Sequence, residues 1–413
     1  MSTRIAPHPR APLALLARAP SPPMDRALRD APLHYRYSRD ALHAFFAALG
    51  APRGTPVWMP SFHCGMEVRT AADAGFAPRF YRVGDDLAID EDDLARGLRD
   101  APGPVLAIHY FGFAQPGIAR IAALCAAAGV PLVEDCAHAP LSALGGRALG
   151  TFAPAATFSF GKTFGTADGG ALRADRLALA RITGRDVALA PPRHGPPVAL
   201  AALRDGVRRR RRDEPPRDAD AVRVHDALAA RWAARVRSAE RTIFEGELRY
   251  GRGISRLSLA LLRRCDPEDI VRRRRANYEH LDALLRDVPG YRAPYRALMD
   301  GTCPLYLPLF VRDRTEVLLR LQAQGIAPFV FGMFHHPAMD AARFPESRRL
   351  RDELLCLPVH HQLADGDVER VASALRPLLL ADADSPATNI AFAERAGDIR
   401  DDGRVRARVM HDA

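Results

Sequence analysis

One residue stands out for covalent chemistry. Of the 59 lysines and arginines in the 413-residue chain, a single one, Lys162, is lysine. A guanidinium stays protonated and is a poor nucleophile, whereas a primary amine can lose its proton and attack a carbonyl. Lys162 sits in Phe158-Ser159-Phe160-Gly161-Lys162-Thr163-Phe164-Gly165-Thr166-Ala167-Asp168-Gly169-Gly170. It is the first candidate for Schiff-base chemistry; chance survival of one lysine in an arginine-biased chain is the competing account. Upstream, Val133-Glu134-Asp135-Cys136-Ala137-His138-Ala139 runs an apolar start into carboxylates. Taken alone, Asp135 reads equally well as a helix N-cap. The pairs His335-His336 and His360-His361 have no carboxylate or cysteine at ligand spacing, so no metal site is expected. Cysteines 64, 125, 136, 265, 303 and 356 show no Cys-x-x-Cys spacing, which argues against a zinc knuckle or redox pair and for reduced, mostly buried thiols.

These residues need elements to hold them. Residues 1–34 are rich in proline and arginine and lack periodicity, so they read as an irregular arm. Tyr37 to Gly50 has apolar residues at 41, 42, 45, 46 and 49, the pattern of a helix with Ser38 as N-cap and Gly50 as stop. Such an N-terminus, with Arg39 beside it, can hold a phosphate, although an ordinary capped helix has the same pattern. Strand-like runs then alternate with helical segments: 56–60, 78–83, 105–110, 130–133, 155–160 and 170–173 against helices near 65–75 and 117–128. That rhythm predicts an α/β fold with a mostly parallel sheet between helices. Ligands in such sheets sit at the carboxyl ends of strands, where His109, Asp135 and Ser159 fall. The boundaries read as an arm over 1–34, a large domain over 35–245 with a basic insertion at about 185–220, a smaller α+β domain over 246–380, and a flexible tail over 381–413. A connecting helix is expected near 222–245.

Composition narrows the class. Hydrophobic residues make up 48% and charged residues 26%, as in a soluble globular protein. No apolar run is long enough to span a bilayer, and Pro12–Ala17 is too short and proline-flanked for a signal peptide, so a cytoplasmic protein is expected. The net charge of +10 is concentrated in the runs Arg208–Arg212 and Arg272–Arg275. Without aromatic interleaving or a helix-turn-helix pattern, both read as solvated faces, and no nucleic-acid partner is expected.

The two chemical motifs together resemble the DegT/StrS-type sugar aminotransferases. That family shows Glu-Asp-x-Ala-(Gln/His)-Ala, then Ser-Phe before a lysine, then an acidic residue and Gly-Gly. The likeness continues in Pro60-Ser61-Phe62-His63-Cys64-Gly65, His109-Tyr110-Phe111-Gly112-Phe113, Arg275-Ala276-Asn277-Tyr278 and Leu357-Pro358-Val359-His360, covering roughly residues 36–378. The resemblance implies fold type I of the enzymes dependent on pyridoxal 5'-phosphate (PLP), with a seven-stranded-type sheet and a smaller C-terminal domain. It implies that Lys162 forms the Schiff base and moves the proton, and that Asp135 pairs with the pyridine nitrogen. His138 would lie near the ring's phenolic oxygen. Ser159, Arg39 and the N–H of Asp40 become phosphate candidates, and His63 or Phe62 a stacking residue. His109, His360 and Ser255 become substrate candidates; for His360 a packing or surface role is an equal reading.

The resemblance further implies a homodimer with interface active sites. The expected reaction moves an amino group from an amino acid, by family habit glutamate, to a nucleotide-linked keto-sugar in surface polysaccharide or secondary-metabolite biosynthesis. The rivals are a PLP enzyme acting on a non-sugar carbonyl, and a PLP-fold regulator or binding module without transaminase activity. A dehydrating relative would carry histidine in place of Lys162.

Overall fold

The computed structural model describes residues 4–10, 13–31, 33–175, 221–334 and 336–383. After a 3-10 turn at Leu13–Ala17, helix α1 covers Pro22–Asp30 and strand β1 Leu33–Tyr35. Then come α2 (Ser38–Leu49), β2 (Pro56–Pro60), α3 (Met66–Asp73), β3 (Ala77–Tyr81) and α4 (Glu91–Asp100). They lead into β4 (Val105–Ile108), α5 (Ile118–Ala127) and β5 (Leu132–Cys136). A small hairpin, β6 (Ala143–Leu144) and β7 (Arg147–Ala148), precedes β8 (Ala155–Ser159), α6 (Phe160–Phe164) and β9 (Gly170–Ala174). The later helices are α7 (Ala221–Phe244), α8 (Arg256–Leu262) and α9 (Pro267–Leu285). Strand β10 (Tyr306–Phe310), α10 (Arg314–Ala323), α11 (Pro345–Glu353), β11 (Leu354–Pro358) and α12 (Asp365–Ala383) complete the described chain.

Seven strands form one sheet in the order β1-β9-β8-β5-β4-β2-β3. Strands β3, β2, β4, β5 and β8 run parallel, while β9 is antiparallel to β8 and β1 to β9. Strands β4 and β5 are buried at every residue, as a sheet covered on both faces requires. From β2 the chain steps to β3 on one side, then crosses back so that β4 lies on the other. That reversal opens a crevice at the carboxyl ends of the strands. The second sheet is the antiparallel pair β10–β11, buried along its length. A continuous apolar core joins Val105–Ile108 of the first sheet to Leu305–Leu307 and Tyr278 beside the second.

The structure departs from the sequence reading in the first 34 residues. They hold α1, and β1 extends the large sheet by pairing with β9. Even Ile5 bridges to Ile326. Three-residue strands carry too little periodicity to be read locally; their partners lie far along the chain. The α2 N-cap is Tyr37 rather than Ser38, and the Asp40 carboxylate accepts the Tyr37 N–H at 3.1 Å. The expected connecting helix is α7. The basic insertion at about 185–220 and the tail from 384 lie outside the described residues.

Candidate active site

Helix α6 is one turn long, fitted between β8 and a left-handed Gly165 (φ +74°). Gly165 ends it because only glycine takes that conformation without strain. Lys162 therefore projects from a short turn just past the carboxyl end of β8. Strand β5 lies alongside β8, with Asp135 opposite Thr157 and Cys136 opposite Phe158. Asp135 is thus delivered to the same end of the sheet.

Beyond Asp135 the chain turns, and the Ala137 N–H donates to Asp135 Oδ1 at 2.8 Å. Burial pushes the Asp135 carboxyl up to about 6, and the nearby Glu67 adds to that; the Ala137 N–H and the Lys162 charge work the other way. His138 is buried, and its Nδ1 accepts the Phe111 N–H at 3.3 Å. Its proton is therefore on Nε2 when the ring is neutral. Burial, then the Lys162 charge, holds it well below the ordinary histidine range. Its ring stacks on Phe111 at 5.5 Å and meets Phe331 edge-on at 5.1 Å. The Lys162 charge is thus near enough to act on both Asp135 and His138.

A second grouping lies one strand register away. Ser159 is opposite Gly170 in the β8–β9 ladder. A Cβ on Gly170 would collide with the backbone of Tyr37 and Ser38. So the missing side chain lets the start of α2 come up against Ser159. The N–H groups of Ser38 and Arg39 open the helix and have no intrahelical acceptor. The Arg39 guanidinium lies 4.2 Å over the Tyr37 ring, and its buried Nε has no acceptor among the described residues. The Asp40 N–H, a phosphate candidate from sequence, is instead committed to Tyr37 O at 3.1 Å.

Three substrate candidates are used elsewhere. His109 is fully buried, with Nε2 3.0 Å from Glu134 Oε2 and Nδ1 accepting the Gln115 N–H at 2.9 Å. Ser255 caps α8, accepting from Ser258 N–H, and donates to Asp168 at 2.8 Å. His360 holds the N-terminal arm, its Nε2 3.1 Å from Ala6 O. Of the stacking candidates, His63 packs on Phe80 at 5.5 Å, and Phe62 sits among Tyr110, Phe331 and Gly332.

The sequence reading missed four residues near the lysine. Cys64 lies within the field of Lys162 and donates its thiol to Glu67 at 2.7 Å. Glu67 also accepts the Cys64 N–H at 3.0 Å, an i,i+3 pairing at the start of α3 that could have been noticed. His8 and Arg274 reach the lysine turn from distant segments, and no local signal marks them. Arg274 further corrects the reading of the 272–275 run as a solvated face. Arg272 and Arg273 are exposed, Arg274 is 1% exposed, and Arg275 donates to Met299 O and Thr302 O.

The model of the DegT/DnrJ/EryC1/StrS aminotransferase family matches residues 38–184 and 257–376. A GDP-perosamine synthase of Vibrio cholerae is 35% identical over 133 residues, 32% of this chain and 36% of that protein. That stretch spans about a third of the synthase's length. A dTDP-4-dehydro-2,3,6-trideoxy-D-glucose 4-aminotransferase of Saccharopolyspora spinosa is 27% identical over 343 residues, 77% of each chain. Among solved structures, the aminotransferase TlmJ from Streptoalloteichus hindustanus superposes with a TM-score of 0.62 at 25% identity, covering 92% of this chain and 98% of its own. DesI, solved in the presence of its TDP-sugar product, gives 0.66 at 18% identity over 96% of each chain.

Proposed function

The chain belongs to the DegT/DnrJ/EryC1/StrS aminotransferase family, and from that premise we propose that it transfers an amino group from an amino acid, glutamate first, to a nucleotide-linked keto-sugar, with PLP as cofactor. The observation that carries this reading is the chain's sole lysine lying near Asp135 and His138 at the carboxyl ends of β5 and β8. The residues present fit the cofactor. Burial and the nearby Glu67 outweigh the Ala137 N–H and the Lys162 charge, so the Asp135 carboxyl stays raised to about 6, as suits a group awaiting a protonated ring nitrogen. The buried Thr163 and Thr166 hydroxyls, just after Lys162 in the chain, have no partner among the described residues. The close approach over Gly170 seats the start of α2, with its opening N–H groups, against Ser159.

When bound, the cofactor supplies a carbonyl to hold the amine and a ring to take up electrons. Lys162 would anchor it and then, as a free amine, move a proton at the reacting carbon. Asp135 would hold the proton on the ring nitrogen. His138 would present Nε2–H as a donor. Arg39, the Ser38 and Arg39 N–H groups and Ser159 would take the phosphate.

That acceptor class is supported by relatives named for GDP- and dTDP-linked sugars. A homodimer, a cytoplasmic setting, and a place in polysaccharide or secondary-metabolite biosynthesis are part of the same proposal, as is a large unit over 35–245 with a smaller one over 246–380. The described helices contain none long and apolar enough to cross a membrane.

Absorbance spectroscopy tests the reading. Protein loaded with PLP should show a visible band that glutamate bleaches and a keto-sugar nucleotide restores. Lys162→Arg, which keeps the charge, should abolish the band and lower turnover at least roughly a thousandfold. A band that glutamate leaves unchanged would overturn the donor; a bleached band that no keto-sugar nucleotide restores would overturn the acceptor.

A further inference from the structure

The one-turn helix α6 leaves carbonyls at its carboxyl end without intrahelical donors. Side chains from far along the chain approach two of them. Arg274 donates to Thr163 O at 3.0 Å. The His8 ring comes up against the backbone of Lys162. Both side chains are anchored on one short segment, Pro304–Tyr306. The Tyr306 hydroxyl stands 3.0 Å from the His8 ring nitrogens, and Arg274 Nη1 donates to Pro304 O and Leu305 O at 3.2 Å each.

We propose that His8 and Arg274 are positioning residues that clamp the lysine-bearing turn onto Pro304–Tyr306, so that the N-terminal arm Ile5–Arg10 is a working part of the active site. The inference rests on Lys162 being the reactive amine.

The arm's course supports the clamp. Ile5 N–H donates to Gly325 O and Ala327 N–H to Ile5 O, each at 3.0 Å. His360 Nε2 lies 3.1 Å from Ala6 O, and Arg10 exchanges two hydrogen bonds with Gln362 at 2.8 and 3.0 Å. The arm is thus fixed on both sides of His8. Between these anchors it crosses Gly165, where a Cβ would lie 2.6 Å from Arg10 O. His8 also packs its ring against Tyr306 and Phe329 at 5.6 and 5.5 Å. Burial, then the Lys162 and Arg274 charges, pushes its pKa down to about 3, so the imidazole is neutral. A neutral ring has one donor and one acceptor nitrogen, which suits a link from the Tyr306 hydroxyl to the Lys162 carbonyl.

Arg274 is 1% exposed, and no carboxylate pairs with it among the described residues. A buried cation bonded only to carbonyls is costly unless its geometry serves a purpose. Holding the reactive turn is such a purpose.

The test uses full-length, PLP-loaded protein. His8→Phe keeps the ring packing and removes the nitrogens; Tyr306→Phe cuts the same link at its other end. Each should lower kcat about tenfold or more while leaving donor KM within about threefold, because the lysine is misplaced rather than the substrate site lost. Amide exchange at Phe160–Gly165 should speed up in both. The double variant should be no worse than either single one, and His8→Gln should recover part of kcat. Arg274→Lys should also lower kcat. If both link variants keep wild-type kcat and exchange, or if their effects multiply, the clamp is wrong. If they lower the melting temperature and Gln gives no rescue, His8 serves stability alone and the clamp is again wrong. Absence of the band in wild type would instead overturn the reading of Lys162.

Discussion

Asp135 and Glu134 are neighbours in one strand with opposite electrostatic situations. Successive side chains of a strand point to opposite faces. Glu134 accepts from the Gly150 and Ala153 N–H groups at 2.8 and 2.7 Å and faces His109. Burial alone would raise it, but these bonds outweigh burial and hold it below the usual carboxylate range. Its stabilisation is present above the unfolded carboxyl's pKa and is lost as pH falls through the lower folded one. Glu134→Ala should cost roughly 3–5 kcal/mol in urea unfolding, since it strips a buried network of its acceptor; a loss under about 1 kcal/mol would contradict this role. Asp135 is the reverse case. Its folded pKa, about 6, lies above the ordinary 3.8. Cofactor-free protein is therefore unpenalised below about pH 4 and loses about 3 kcal/mol as pH rises towards 6 and above. Asp135→Asn should raise the melting temperature of cofactor-free protein at pH 7.5, have little effect at pH 4, and weaken PLP binding. A less stable Asn variant at pH 7.5 would contradict the sign. The motif around Asp135 was legible in sequence because residue type carries the chemistry. Which neighbour enters the His109 network and which is left with a raised pKa depended on the strand's faces.

At the scale of elements, the strand–turn–helix unit β8–α6 and its return into β9 carry the site. Gly165→Ala should strain the left-handed stop and push on Arg10 O. Faster amide exchange at Ile5 and Ala327, the residues that pair the arm to its neighbour, is the expected readout; unchanged exchange would mean that the arm does not depend on α6. Most elements were readable from period and punctuation. The helix read over 117–128 is α5 with Gly129 beyond it in the left-handed region, and the strand read at 56–60 is β2. The strand β1 was missed because its partner β9 lies more than 130 residues away, between Leu172 and Leu33 at one end of the register. His109 was misjudged for a related reason: the end of a strand suggests a ligand site, yet the side chain points into the Glu134 network.

For the whole molecule, the net charge of +10 sets the long-range field. If the acceptor carries a diphosphate, kcat/KM for it should fall several-fold between roughly 50 and 500 mM salt as steering is screened, with less change for glutamate. Equal insensitivity of both would argue against an anionic acceptor. The sequence by itself determined the class of sheet and singled out Lys162 and Asp135 as the candidates for the chemistry, because hydrophobic period and side-chain type are local properties. The tertiary structure decided which histidines face Lys162 and which do not. It sorted the arginine run into exposed Arg272 and Arg273, half-buried Arg275 and buried Arg274, and it brought His8 across to the neighbourhood of residue 162. Those outcomes depend on contacts between distant segments, and only packing within the fold selects them.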